Sequence, residues 1–331
     1  KALQIGSGSS GAFLQFNGAV SLTAYNTYYN GSNYVYSTSS YAGVADFNGA
    51  STGGFSWRIA ASGTAGNTPS FTQAMTLNAS GYLGIGTSPT KLLTVAGDAL
   101  INGLTVGQGA GNDGASTAVG YFAISGTVTG TYNSALGRYA LGSGNLSGIH
   151  NNAFGWSSLG LNTSGGYNTA IGDQSLASNT TASYNTAVGW SAMYSNTTGQ
   201  NTAYGAGALY TNSTGTANTA LGGTTSTVSS ALNANTTGSY NVAVGTGSLS
   251  SNTTASNNTA VGYQAGYSNT TGGPNTTLGS YAGYGITTGT NNTAVGYGSL
   301  GYFASAYTTG AYNVALGDSA LGKITSASNN T

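Results

Sequence analysis

Residues capable of acid–base or nucleophilic chemistry are few in this chain and far apart. His150 is the single histidine, cysteine and glutamate are absent, and the carboxylates are Asp46, Asp98, Asp113, Asp173 and Asp318. A general base must sit within hydrogen-bond reach of the proton it takes and of a group that orients it. His150 stands directly before an Asn-Asn-Ala-Phe-Gly stretch with no cysteine or glutamate beside it, so it reads as a solvated turn residue. Glycoside cleavage needs two carboxyl groups flanking one sugar bond. Asp173 and Asp318 occupy equivalent places but are widely separated, so only contacts between chains would pair carboxylates, and a glycan depolymerase is kept as an alternative on that basis. Calcium binding is disfavoured because the carboxylates never cluster and the GGxGxD pattern is missing. The stretch GSGSSG (residues 6–11) has the glycine spacing of a dinucleotide loop, yet AFLQF follows it and no acid stands about twenty residues on. No enzyme is expected, and no catalytic, cofactor-binding or metal residue is assigned.

Recognition chemistry is better represented. The stretch YNTYYNGSNYVYSTSSY (residues 25–41) places Tyr25, Tyr28, Tyr29, Tyr34 and Tyr36 close together, and tyrosine offers a rigid plane with a polar tip, suited to sugars or protein surfaces. Its plainer reading is strand tyrosine packed within a β-module or a subunit interface. Trp156 and Trp190 stand at equivalent places and are candidates for glycan stacking or merely for covering the fold. Asn162, Asn179, Asn196, Asn235, Asn252 and Asn269 open Asn-Thr-Thr or Asn-Thr-Ser triplets. These match the glycosylation acceptor rule and are expected to be turn and ladder residues.

Positioning these side chains requires an unusual scaffold. The chain has 331 residues, 56 of them glycine, and only five basic residues (Lys1, Arg58, Lys91, Arg138, Lys323), which balance the five aspartates. Nucleic acid is not an expected partner, because neutralising phosphates takes clustered Lys and Arg. A polybasic membrane patch is excluded likewise, and no apolar run reaches the roughly eighteen residues of a membrane span. The first residues lack a signal-peptide pattern; the absent initiator Met and an unfinished closing phrase are read as processed ends. Three prolines and a fixed phase of apolar residues argue for order.

That phase is the dominant signal. A phrase of the form Asn-Thr-Ala-Val-Gly ends on Gly120, Gly137, Gly155, Gly172, Gly189, Gly205, Gly222, Gly245, Gly262, Gly279, Gly296 and Gly317, with steps of 16 to 18 residues apart from steps of 23 and 21 that mark insertions near 223–240 and 297–312. So short a period means stacked coils. In a strand the aliphatic residue before the Gly shares a face with the Thr two earlier, and Asn shares the other with Ala. Four residues past the Gly stands a second apolar residue, such as Leu141, Leu159, Leu176 or Met193, missing at Ser226, Gly266 and Gly283. Two short strands per coil are expected. The aliphatic residues should form an apolar column, the Asn residues an amide ladder, and a stack of about 4.8 Å per coil should reach roughly 55 to 60 Å. With so thin a core, further burial is expected from association of chains through the small Ala-rich face. The fold class is therefore all-β, with a β-rich module (1–75), connector strands (76–109) and a parallel β-solenoid or β-roll of about 17-residue coils (110–331).

The phrases NTAIGDQSL (168–176), NTAVGWSAM (185–193) and NTAVGYGSL (292–300) resemble repeats of bacteriophage tail fibres and are similar to head repeats of trimeric autotransporter adhesins. The connector NASGYLGIGTSPTKLLTVAG (78–97) resembles segments that precede such regions in phage fibre and spike proteins, upstream of an endosialidase-type chaperone. The resemblance covers about residues 70–331. It implies an intertwined or side-by-side homotrimer, displayed on a virion with other tail proteins and attaching to a host surface glycan or protein receptor. It departs from autotransporter heads in its longer repeat, in the Thr where a second aliphatic residue stands there, and in lacking a neck and heptad stalk. The alternatives are a bacterial surface adhesin head and an ice-binding solenoid built on the in-register threonines, the latter set against an expectation that those threonines are buried.

Overall fold

The computed structural model describes, within residues 1–114, the strands together with residues 64–71 and 80–86, and from residue 115 onward every residue except 143, 228 and 303–307. The described residues form strands and turns without a helix, in two units, residues 1–98 and 99–331.

The first unit contains β1 (Ala2–Ile5), β2 (Ala12–Asn17), β3 (Val20–Tyr25), β4 (Thr27–Tyr29), β5 (Tyr34–Tyr36), β6 (Ser40–Phe47), β7 (Gly54–Gly63), β8 (Thr72–Asn78), β9 (Leu83–Ile85) and β10 (Leu93–Val95). Eight of these make one sheet in the order β1-β2-β3-β6-β7-β8-β9-β10, while β4 and β5 pair as a separate hairpin. Neighbours in the sheet are antiparallel until the last pair, β9 and β10, which runs parallel. The strands carry aromatic and β-branched residues, such as Phe13 and Phe16 of β2 and Val20 and Thr23 of β3, as such residues suit a pleated surface. Between β8 and β9 the Asn78 side chain makes the turn, its Oδ1 accepting from the Ser80 and Tyr82 amides at 3.0 and 2.9 Å.

The second unit begins with the hairpin β11 (Ala99–Ile101) and β12 (Leu104–Gly107), so the expected connector is divided between the units. Then come β13 (Thr117–Val119), β14 (Gly126–Val128), β15 (Ser134–Leu136), β16 (Gly144–Leu146), β17 (Asn152–Phe154), β18 (Thr169–Ile171), β19 (Thr186–Val188), β20 (Thr202–Tyr204), β21 (Thr219–Leu221), β22 (Val242–Val244), β23 (Thr259–Val261), β24 (Thr276–Leu278), β25 (Thr293–Val295) and β26 (Val314–Leu316). All of these except β14 and β16 are the phrase strands. They pair in parallel and in register, as in Thr259↔Thr276, Ala260↔Thr277 and Val261↔Leu278. This is a β-solenoid whose twelve rungs span about 53 Å at ~4.8 Å per step.

Two expectations are corrected. First, the faces are reversed. The alanines are buried inside each coil (Ala118, Ala153, Ala170, Ala187 and Ala243 are all 0 % exposed), whereas Leu136, Ile171, Leu221 and Leu278 are 42 to 48 % exposed and the threonines beside them are half-buried or exposed. An Ala-rich face is therefore not free to associate chains, and the threonines are not core. The reason lies in the asparagines. The buried Asn168 side chain satisfies backbone one rung up, with Nδ2 donating to Ala182 O at 2.9 Å and Oδ1 accepting from the Asn185 amide at 3.0 Å. Asn must point inward to do this, and the two-residue period of a strand sends Ala in with it and the bulky residue out.

Second, the coil has one strand in most rungs, not two. The second apolar residue sits in a turn with left-handed backbone, at φ from 47 to 57° for Leu141, Leu159, Leu176, Met193, Leu209, Leu249 and Leu300; among the described residues that side pairs as strands at β14 and β16 and by a single parallel bridge between Ile286 and Thr308. Left-handed backbone costs about 1–2 kcal/mol per residue. Full burial of a Leu or Met side chain is worth about 1.5–3 kcal/mol, and all seven are at most 2 % exposed. Their amides also find carbonyls on the next rung, as Leu159 N to Ser175 O at 3.0 Å. The burial wins, so the turn tolerates the strain.

The irregular copies repack rather than break. The 223–229 insertion leaves Leu232, fully buried, in the position expected to be lost at Ser226. Gly266 and Gly283 lack the second apolar side chain, and Thr277, the one residue larger than Ala at the phrase's Ala position, fills the space with Ile286; a Cβ on Gly283 would lie 2.5 Å from Thr277 Cγ2 and 2.9 Å from Ile286 Cδ1.

Every phrase glycine has φ between 117 and 157°, a region nearly closed to other residues. A Cβ would also strike the next rung, 2.4 to 2.8 Å from its nearest atom at every rung but the last; at Gly317 nothing lies within 4 Å. The invariant word of the repeat is set by close approach of backbones.

Candidate functional site

Because the phrase glycine swings the chain outward, the residue after it projects from a corner of the coil. In rung order this row reads Tyr121, Arg138, Trp156, Asp173, Trp190, Ala206, Gly223, Thr246, Tyr263, Ser280, Tyr297 and Asp318. Its aromatic members are 39 to 57 % exposed. Asp173 Oδ1 accepts the Trp156 amide at 2.8 Å, tying one rung to the next. The Arg138 guanidinium lies 5.7 Å from the Tyr121 ring centre and 5.0 Å from that of Tyr139, a cation–π pair worth about 0.5–1 kcal/mol at an exposed site. Neither indole meets another ring among the described residues. Trp156 and Trp190 are candidates read from the sequence; Tyr121, Tyr263 and Tyr297 share their row and escape that reading, although the first residue after each phrase glycine is the signal that finds them.

Elsewhere aromatic residues on adjacent rungs cover one another. Tyr132, His150, Tyr167 and Tyr184 form a continuous stack with ring centres 4.9 to 5.0 Å apart, so the histidine is an exposed turn residue, as expected, with its ring stacked between two tyrosines. Tyr194 stacks on Tyr210 and Tyr267 on Tyr284, both at 5.3 Å. Around Tyr281 gather Tyr263, Tyr284, Tyr297 and Tyr302 at 4.6 to 5.9 Å. Burial among these rings, followed by the Tyr263 phenol, raises the Tyr281 hydroxyl above its ordinary pKa; a hydrogen bond with Tyr297, then burial, does the same for Tyr302.

The interior carries two amide ladders. In the first, Asn133, Asn151, Asn168, Asn185, Asn201, Asn218, Asn241, Asn258, Asn275, Asn292, Asn313 and Asn330 pass backbone and side-chain hydrogen bonds from rung to rung, as Asn258 N and Nδ2 to Asn241 Oδ1 at 3.0 and 3.2 Å. The second holds the six asparagines of the glycosylation-type triplets together with Asn212; Asn252 Nδ2 reaches Asn235 Oδ1 at 2.7 Å and Ala255 O at 3.0 Å. All six are at most 1 % exposed, so the folded chain withholds them from modification. The ladder lapses between Asn179 and Asn196, where Asn179 Oδ1 and Asn196 Nδ2 lack partners, and at Asn269, whose Oδ1 faces a rung with Ile286 in place of Asn.

Of the N-terminal tyrosines, Tyr25 ends β3, and Tyr28 and Tyr29 on β4 pair with Val35 and Tyr34 of β5 while Tyr36 faces Thr27; their side chains lie outside the described residues, as does the 6–11 glycine stretch. No group of three His, Cys, Asp or Glu side chains fit for a metal occurs among the described residues, and no helix there is long and apolar enough to cross a membrane. The solenoid with its outward face and corner row thus defines a repeat-scaffold protein. No family model, curated protein or solved structure matches the chain.

Proposed function

We propose that the protein is a structural segment of a tail fibre or spike, displayed on a virion and attaching to a host surface through glycans, and built as a homotrimer. The observation that carries this reading is the outward face of the phrase strands, where twelve bulky residues from Val119 to Leu316 line up with a row of threonines and leave Leu136, Ile171, Tyr204, Leu221 and Leu278 nearly half exposed. A contiguous apolar strip of this extent marks an association surface, and a coil whose own core is mainly Ala, Asn and one Leu gains burial by using it. The copy number comes from the resemblance to phage fibres, with an adhesin head of a bacterial surface as the variant owner of the same architecture. Sedimentation of the whole chain tests it: a trimer is expected, and Leu221→Asp with Leu278→Asp should yield folded monomer. A wild-type monomer overturns the reading.

A second reading gains from the reversed faces. Thr169, Thr186, Thr202, Thr219, Thr259, Thr276 and Thr293 point outward in register on a nearly regular surface, the arrangement an ice-binding solenoid would need. Thermal hysteresis in dilute solution would establish it, and its absence removes it.

A further inference from the structure

We infer that the row after the phrase glycines is a binding track for an extended, uncharged polysaccharide with a two-sugar repeat, of the β-1,4-linked kind, lying parallel to the solenoid axis; this rests on the reading of glycan attachment and names its ligand. Counting rungs from Gly120, the aromatic members fall on the first, third, fifth, ninth and eleventh: Tyr121, Trp156, Trp190, Tyr263 and Tyr297. The seventh rung, where the alternation lapses, carries Gly223 at the start of the insertion. Aromatic platforms therefore recur about every 9.6 Å, twice the rung spacing, and an extended β-1,4-linked chain presents the same ring face at each second sugar. Alternation matters physically. In the Tyr132, His150, Tyr167 and Tyr184 stack the inner rings are covered on both faces, whereas Trp156 and Trp190, two rungs apart, meet no other ring among the described residues; Tyr121 is flanked by Phe122 and Arg138, and Tyr263 and Tyr297 pack against Tyr281 at T-shaped angles.

The rungs between supply hydrogen bonds. Arg138 donates, Ser280 and Thr246 do either, and Asp173 accepts, with Oδ1 held by the Trp156 amide and Oδ2 without a hydrogen bond among the described residues. Arg138 and Asp173 cancel in charge, and residues 174–317 contain no Lys, Arg, Asp or Glu, so an ionised sugar would find no counter-charge there. Tyr121 to Trp190 spans four rung steps, about 19 Å or roughly four sugars. Tyr263 and Tyr297 make a second, shorter platform, and repetition along one chain and among copies raises avidity.

The test is calorimetric titration of the full chain with cellohexaose, chitohexaose, maltohexaose and cellobiose, with sedimentation of the same samples. At least one β-1,4-linked hexaose is expected to bind, with maltohexaose and cellobiose weaker by about tenfold or more. Trp156→Ala with Trp190→Ala should lose about tenfold or more while still assembling, since each removes a stacking plane. Asp173→Trp with Trp190→Ala, which keeps two indoles but puts them on adjacent rungs, should not restore binding. A wild-type protein that assembles yet binds neither β-1,4-linked hexaose overturns the track and leaves the fibre reading standing. So does binding that prefers maltohexaose or survives loss of both indoles.

Discussion

Substituting Ala for the phrase glycine separates two costs that the fold imposes together. Gly245 has φ of 121°, and a Cβ there would lie 2.5 Å from Gly262 O and 2.7 Å from its carbonyl carbon; Gly317 has nearly the same φ, 117°, with nothing within 4 Å. Gly317→Ala therefore carries the dihedral penalty alone, about 1–3 kcal/mol. Gly245→Ala carries it too and must also push the next rung away by about 0.9 Å, from 2.5 Å to the 3.4 Å of ordinary contact. The rungs there are held by Gly245 N to Leu221 O at 2.7 Å and Gly262 N to Val244 O at 2.8 Å. Opening one such bond costs about 1 kcal/mol and leaves buried groups that cost more, so Gly245→Ala should lose about 3–6 kcal/mol in all. Guanidinium unfolding followed by far-ultraviolet circular dichroism, at one protein concentration, gives both values. Equal losses for the two variants would refute the close-approach argument, leaving the glycine explained by φ alone.

Other outcomes follow from the same geometry. Asn241→Ala strands Ala255 O and the Asn258 amide and side chain inside the coil, and should cost about 2–4 kcal/mol in the same unfolding assay. Gly283→Ala and Thr277→Ala should each destabilise, the first by collision with Thr277 and the second by leaving a gap, while the double variant should lose at least ~0.5 kcal/mol less than their sum. Because the chain has no cysteine, Thr259→Cys and Ala260→Cys report the faces by thiol labelling of the native protein: the first should react at least about tenfold faster, as only the second is fully buried.

Much of this was legible in the residues. The period, the stacking and the Asn ladder follow from like residues recurring at a fixed step, because in-register coils place identical side chains above one another. The faces were not legible by the usual rule that bulky apolar residues go inside. Val261 and Leu278 lost the interior to Asn258 and Asn275, whose side-chain amides donate to the turn carbonyls of Ser256 and Gly289 as no aliphatic residue could, and to Leu249, which enters from a left-handed turn. That turn was unreadable because Leu in left-handed backbone contradicts local preference and is held there by tertiary packing. Thr277 looked like an exception on its own and makes sense only with Gly266 and Gly283 beside it. The corner row was present in the sequence, but Trp156 and Trp190 taken singly did not show the alternation that Tyr121, Tyr263 and Tyr297 complete.

The stacking itself is tested most directly by an engineered disulfide on the turn side, away from the outward face. Thr254 and Thr271 are exposed and occupy the same place on adjacent rungs, with Thr288 one rung further. Adjacent rungs put the α-carbons about 4.8 Å apart, within the range a disulfide spans, and two rungs put them near 9.6 Å, beyond it. Mild oxidation should close Thr254→Cys with Thr271→Cys within one chain and leave Thr254→Cys with Thr288→Cys open. Failure of the first pair, or closure of the second as readily, would contradict the stacked register on which the account stands.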